Sequence, residues 1–279
     1  VETAQDIPTP CEVAGRIDKR SDRDYFAFTA KKGDTYTLDL IGERLGGVAD
    51  LSLRVRSDKN QDTAGAGDLD DDADSLHPLT FFTRSSDPAP FKFVAPADGK
   101  FYLLVSALDA NVTHGPRAGY RLRVTAPAPD FRAVVMPQSR DAVANAGKAG
   151  GAVAFTVSVH RLDGFAGPVT CTAENLPPGV TAKPGVVSSG LKWGTVVLAV
   201  APDAKPFTGP ISVKCSATVD GKAVTREARP ATVTWSINVG NNNDNVARVA
   251  RLDQQLVLAV RPEKAPLTVA ADLSAATVK

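Results

Sequence analysis

The residues of this chain best suited to chemistry are a run of aspartates and a pair of cysteines. Asp68, Asp70, Asp71, Asp72 and Asp74 fall close together in Asp68-Leu69-Asp70-Asp71-Asp72-Ala73-Asp74. Hard Ca²⁺ takes about six to eight oxygen ligands, and the alternate aspartates at 68, 70, 72 and 74 resemble the opening of a calcium loop. Two parts of an EF-hand are missing: the sixth position is Ala73 rather than Gly, and the twelfth is Leu79 rather than Glu. The run reads either as a Ca²⁺ site or as a solvated loop tip. Cys171 and Cys215 share an inward phase, in Val169/Cys171/Ala173 and in Ile211/Val213/Cys215/Ala217/Val219. Both thiols are expected in the core of one sandwich, as a disulfide or as two buried free thiols. On neighbouring strands they would meet the ~5.5–6 Å Cα separation that a disulfide needs. Closing that loop would contribute about 3–4 kcal/mol.

Other catalytic signatures are missing. His77, His114 and His160 are scattered, and the sequence holds no GxSxG, HExxH, Walker or GxGxxG pattern. The three cysteines show no CxxC spacing, which argues against a zinc site; Cys11, alone in its part of the chain, is expected to pack as a small apolar residue. Ser188-Ser189-Gly190 reads as a turn, and Arg20-Ser21-Asp22-Arg23-Asp24 as a surface run with weak ion pairs. The expectation is a protein that is not an enzyme.

The elements that must position these residues are strands. Apolar residues alternate with period two in Tyr36-Thr37-Leu38-Asp39-Leu40, Leu51-Ser52-Leu53-Arg54-Val55 and Tyr120-Arg121-Leu122-Arg123-Val124. Val196–Val200 and Leu256–Val260 are apolar almost throughout, as strands buried on both faces would be. Turn formers separate the runs, as in Lys32-Gly33-Asp34, Pro177-Pro178-Gly179 and Val219-Asp220-Gly221. No apolar repeat of helical period lasts ten residues. The fold class is all-β, built as two tandem β-sandwiches.

The boundary between them falls in the stiff connector Thr125-Ala126-Pro127-Ala128-Pro129-Asp130. Residues 1–126 hold 16 basic and 20 acidic side chains, net −4; residues 127–279 hold 16 and 11, net +5. The three expected segments are 1–126, 127–266 and 267–279. The last, after Arg261-Pro262-Glu263-Lys264-Ala265-Pro266, repeats the opening character of the second and reads as the start of a further domain or a tail. Gly240–Asn245 reads as an exposed loop before the last strand of the second domain. A net charge of +1 over the whole chain gives no reason to expect nucleic acid, and no stretch nears 18 uninterrupted apolar residues. The first residue is Val1 and the sole methionine Met136, so the chain reads as a piece of an exported protein.

An ordered set of short motifs then resembles the bacterial pre-peptidase C-terminal (PPC) domain. The set comprises Val13-Ala14-Gly15-Arg16-Ile17, Asp22-Arg23-Asp24-Tyr25-Phe26-Ala27-Phe28, Lys32-Gly33-Asp34-Thr35-Tyr36, Ala49-Asp50-Leu51-Ser52-Leu53, Ala95-Pro96-Ala97-Asp98-Gly99-Lys100-Phe101-Tyr102 and Gly119-Tyr120-Arg121-Leu122. The resemblance implies a jelly-roll sandwich that serves as a non-catalytic appendage, often with calcium. The family's acidic lead-in is absent here, where the chain begins Val1-Glu2-Thr3-Ala4. The second domain, through Phe165-Ala166-Gly167-Pro168-Val169-Thr170 and Asn175-Leu176-Pro177-Pro178-Gly179-Val180, is similar to bacterial immunoglobulin-like modules. Together these imply a structural or adhesive segment of an exported bacterial surface protein. Its partners would be other domains or copies of the parent protein, or an extracellular polymer or protein. The second expectation is a polymer-binding accessory module of a secreted peptidase or other hydrolase, with Ca²⁺ at the acidic run. That role needs an exposed aromatic platform, for which Trp193 and Trp235 are the only tryptophans.

Overall fold

The computed structural model describes residues 3–63, 81–82, 85, 87–137, 145–234 and 249–267. The regular structure of the described chain is almost entirely β, with a short 3₁₀ turn at Glu43–Leu45. It divides into two compact units. Among the described residues, the first takes 3–63, 85, 87–130 and 162–164, and the second the remainder. Phe81 and Phe82 thus group with the second unit although they precede residues of the first, so the units interleave along the sequence.

The first unit holds β1 (Gln5–Asp6), β2 (Cys11–Arg16), β3 (Arg23–Ala30), β4 (Thr35–Ile41), β5 (Leu51–Arg56), β6 (Phe91–Val94), β7 (Gly99–Ala107) and β8 (Gly119–Thr125). Odd strands form one sheet in the order β1-β3-β7-β5, and even strands the other, β2-β8-β4-β6. Each connection therefore leaves one sheet and enters the other. The alternation read in the sequence explains why this works: Phe26 and Phe28 on β3, Leu51, Leu53 and Val55 on β5, and Leu103 and Val105 on β7 point inward from the first sheet. Leu38 and Leu40 on β4, Phe93 on β6, and Leu122 and Val124 on β8 meet them from the second. Aromatic rings knit the centre, with Phe28 at 5.3 Å from Tyr36, 6.1 Å from Phe93 and 6.0 Å from Phe101 between centroids. Partly buried Cys11 packs against this core, and burial pushes its thiol pKa up.

The second unit runs through β9 (Asp130–Pro137), β10 (Asn145–Ala149), β11 (Ala152–Leu162), β12 (Val169–Glu174), β13 (Val180–Lys183), β14 (Gly185–Val187) and β15 (Trp193–Val200). It continues with β16 (Phe207–Val219), β17 (Lys222–Glu227), β18 (Arg229–Thr234), β19 (Val249–Leu252) and β20 (Leu256–Lys264). One sheet is ordered β10-β20-β16-β12-β14 with β17 also on β16; the other is β13-β15-β11-β9-β18-β19. Their shared core is aliphatic, dominated by valines such as Val157, Val169, Val196 and Val213 around Phe131 and Phe155. Asp220 and Gly221, both at positive φ, make the tight β16–β17 hairpin turn.

Two expectations about burial change. The strand over Val196–Val200 is covered on one face only: Val196, Leu198 and Val200 are buried while Val197 is 48% exposed. Leu256–Val260 alternates in the same way between buried and half-buried positions. The stretch buried on both faces is instead in β9. There Phe131, Ala133 and Val135 enter the main core, and Val134 and Met136 enter a second cluster with Phe81, Ala231 and Ala250. Apolar content at the outward positions misled the reading, because valine is also a favoured residue on solvated strand faces. The strand β20 runs on through Pro262 to Lys264, with Arg261 and Lys264 in register with Lys148 and Ala149 of β10.

Candidate functional site: a basic cleft on the outer face of the first sheet

With the inward phase of β3, β7 and β5 committed to the core, the opposite phase forms three cross-strand rows. They are Arg23–Ser106–Ser52, Tyr25–Leu104–Arg54 and Ala27–Tyr102–Arg56. Side chains this close across strands act as a unit. The face is not a plain solvated surface, since Ala27, Ser52 and Leu104 are buried on it. It carries a cleft of about 310 Å³ whose lining includes Arg23, Arg54, Arg56, Ser52, Leu104 and Ser106, and whose rim includes Ser21, Asp22 and Asn111. That volume is at the small end of the ~300–1,000 Å³ range of ligand sites.

Among the described residues of this face, the carboxylate of Asp62 faces two guanidiniums: Oδ1 is 3.3 Å from Nε of Arg56, and Oδ2 is 3.9 Å from Nη1 of Arg54. Arg56 also donates through Nη1 to Oδ1 of Asn60 at 2.9 Å. The Arg23 guanidinium meets no acceptor among the described residues, its backbone N–H alone donating to Oδ1 of Asp22. The rim acid Asp22 is already engaged, as its Oδ2 accepts the N–H of Asp18 at 2.8 Å. Oδ1 of Asn111 accepts from Arg20 Nε and Ser21 Oγ, both at 3.1 Å, which ties the two rim loops together. This arrangement can hold an anion by guanidinium forks and a hydroxylated ring by serine hydroxyls. The sequence showed Arg54 as a polar position of an alternating strand and Arg23 as part of a surface run with weak ion pairs. Their convergence depends on strand pairing across a long sequence separation, which no local pattern reports.

The sequence-derived candidates fare differently. Asp68, Asp70, Asp71, Asp72 and Asp74, with His77, Trp235 and the Gly240–Asn245 run, lie outside the described residues. Cys171 and Cys215 are brought directly opposite each other in the antiparallel β12/β16 pairing, both buried. They stand as thiols, Cys215 donating to Cys171 with the sulfurs 3.1 Å apart. That contact pulls the Cys171 pKa down and pushes that of Cys215 up, with burial adding to the latter. His114, in the first unit, is exposed, and His160, in the second, stacks near Phe82 at 6.4 Å. Trp193 is partly buried against the small cluster around Met136 and offers no open platform. Gly190 sits at positive φ in the Ser188–Leu191 turn.

Two carboxylates, buried Asp87 and half-buried Asp24, have opposite character. Burial alone would raise the Asp87 pKa, but the Arg44 side chain and the backbone N–H groups of Arg44, Glu43 and Gly42 outweigh it and hold the carboxyl low. Asp24 accepts the Tyr120 hydroxyl, yet burial keeps its pKa raised. No protein-family model matches the chain, and comparison with curated proteins finds no match.

Proposed function

We propose that this chain is a non-catalytic, adhesive and structural segment of a larger exported bacterial surface protein, with the outer face of the β1-β3-β7-β5 sheet as its binding surface. The observation that carries the reading is the cleft beside Arg23, Arg54 and Ser106: a concave polar site on a rigid sheet, with its floor formed by buried Leu104. Sheet-borne sites hold their geometry because each strand is fixed by its neighbours. The PPC-like first domain and immunoglobulin-like second domain fit the same reading, as spacer modules that present a contact face. Tyr25 and Tyr102, half-buried on adjoining rows of this face, supply the aromatic surface that the tryptophans do not. They also favour a second reading, an accessory module that brings a secreted hydrolase to its polymer.

The test is binding of the intact chain to collagen, peptidoglycan and polysaccharides. Ser106→Trp, which fills the cleft from the central strand, is expected to abolish retention on whichever polymer binds while the melting curve is kept. Binding that survives Ser106→Trp would move the contact surface elsewhere.

A further inference from the structure

The chemistry of the cleft narrows its ligand. We infer that it takes a carboxylate-bearing saccharide, an uronate unit of an acidic polysaccharide; this rests on the reading of the outer face as the binding surface. Three features of the site point the same way.

The first is charge. Arg23, Arg54 and Arg56 line one cleft, Asp62 pairs with the latter two, and the Arg23 guanidinium is the one that meets no acceptor among the described residues. A planar guanidinium offers parallel N–H donors that match a carboxylate, and it keeps its charge at any physiological pH. Asp22, the acid on the rim, is turned to the backbone N–H groups of Asp18 and Arg23 and so does not neutralise Arg23 through a side-chain pair.

The second is the distribution of hydroxyls. Ser52 and Ser106 sit side by side with Arg23 in one cross-strand row, and Ser21 stands on the rim. Each serine hydroxyl both donates and accepts, which is what ring hydroxyls require and what a bare inorganic anion does not. The third is the floor, where buried Leu104 lies in the row between Tyr25 and Arg54. With Ala107, Leu108 and Ala110 also in the lining, this apolar patch suits the C–H face of a pyranose, whereas a string of acidic side chains would leave it unused.

Calorimetric titration of the intact chain with tri-galacturonate tests this, with its fully methyl-esterified form and an oligo-glutamate peptide in parallel. Tri-galacturonate is expected to bind, with affinity falling as salt shortens the screening length from about 30 Å at 0.01 M to about 3 Å at 1 M. The ester and Arg23→Gln should each weaken binding at least tenfold, and Ser106→Trp should abolish it, with melting curves unchanged. Equal binding of the ester, or no effect of Arg23→Gln, overturns the acidic ligand; if Ser106→Trp still blocks that binding, the outer-face reading survives. Tighter binding of oligo-glutamate than of tri-galacturonate also overturns the saccharide, in favour of an acidic protein partner. If none of the three probes binds and Ser106→Trp leaves retention on the wider polymer panel untouched, both the inference and the binding surface fall.

Discussion

Asp87 in the first unit and Arg161 in the second do the same mechanical work with opposite charge. Asp87 Oδ1 accepts the N–H groups of Gly42 and Glu43, both at 2.8 Å, and Oδ2 accepts the N–H of Arg44 at 3.1 Å and its Nε at 2.8 Å. These are the unsatisfied donors at the start of the 3₁₀ turn, which has no side-chain cap of its own. Arg161 instead donates to the carbonyls of Gly167, Val187, Ser188 and Leu191 at 2.5–3.3 Å, joining two loops at the end of β11. In the first unit the habit is general: Asp22, Asp34, Asp98 and Asp109 each accept a backbone N–H from a loop. Part of the acidic excess of residues 1–126 is therefore loop architecture rather than a binding surface. With every connection crossing between sheets, the first unit needs side chains to fix its loops, whereas the β16–β17 hairpin of the second is set by its turn.

The largest expected effect is at Asp87. Asp87→Ala leaves three backbone N–H groups and the Arg44 Nε without their acceptor, while Arg44 Nη2 keeps Asp39 and the Leu40 carbonyl; at about 1–3 kcal/mol for each unsatisfied donor, the first unit should lose about 3–5 kcal/mol. Hydrogen exchange at Gly42, Glu43 and Arg44 should accelerate, while amides of β12 and β16 keep their protection. Because the folded pKa of Asp87 is depressed, its contribution is present above the unfolded value of ~3.9 and is lost as pH falls through the folded one. An Asp87→Ala protein as stable as the parent would break the comparison.

Next comes the sulfur pair, which fixes two strands of the second unit rather than a loop. Mild oxidation should remove two hydrogens from the mass and raise the second unit's stability by about 3–4 kcal/mol, with no gain in Cys171→Ala. An unchanged mass under oxidant would leave the pair as core-filling thiols. The approach of these two residues was legible in the sequence, because period-two alternation gave each an inward phase and pairing did the rest. The same logic made the all-β fold and most of both cores readable. It failed where function is proposed: the rows that bring Arg23, Arg54 and Arg56 together are created by register between distant strands. Asp87 was equally hidden, since its partners at Gly42–Arg44 are brought to it by the fold and not by any spacing. Parallel pairings such as β10/β20 and β9/β18 escaped for that reason too.

Arg161 gives the smallest of the three effects and the sharpest contrast. Its carbonyl partners lie partly in water, which replaces some of the lost bonds, so Arg161→Met should cost about 1.5–3 kcal/mol. Burial lowers the Arg161 pKa, but a guanidinium stays charged throughout the acid range. Acidification should therefore separate the two staples: below the ordinary carboxylate value the first unit loses what Asp87 supplies, while the part of the second unit's stability removed by Arg161→Met stays constant. Thermal melts of the parent, Asp87→Ala and Arg161→Met across that range would show it. If Asp87→Ala narrows its gap to the parent as pH falls and Arg161→Met does not, each unit is fastened by the charge its own loops demand.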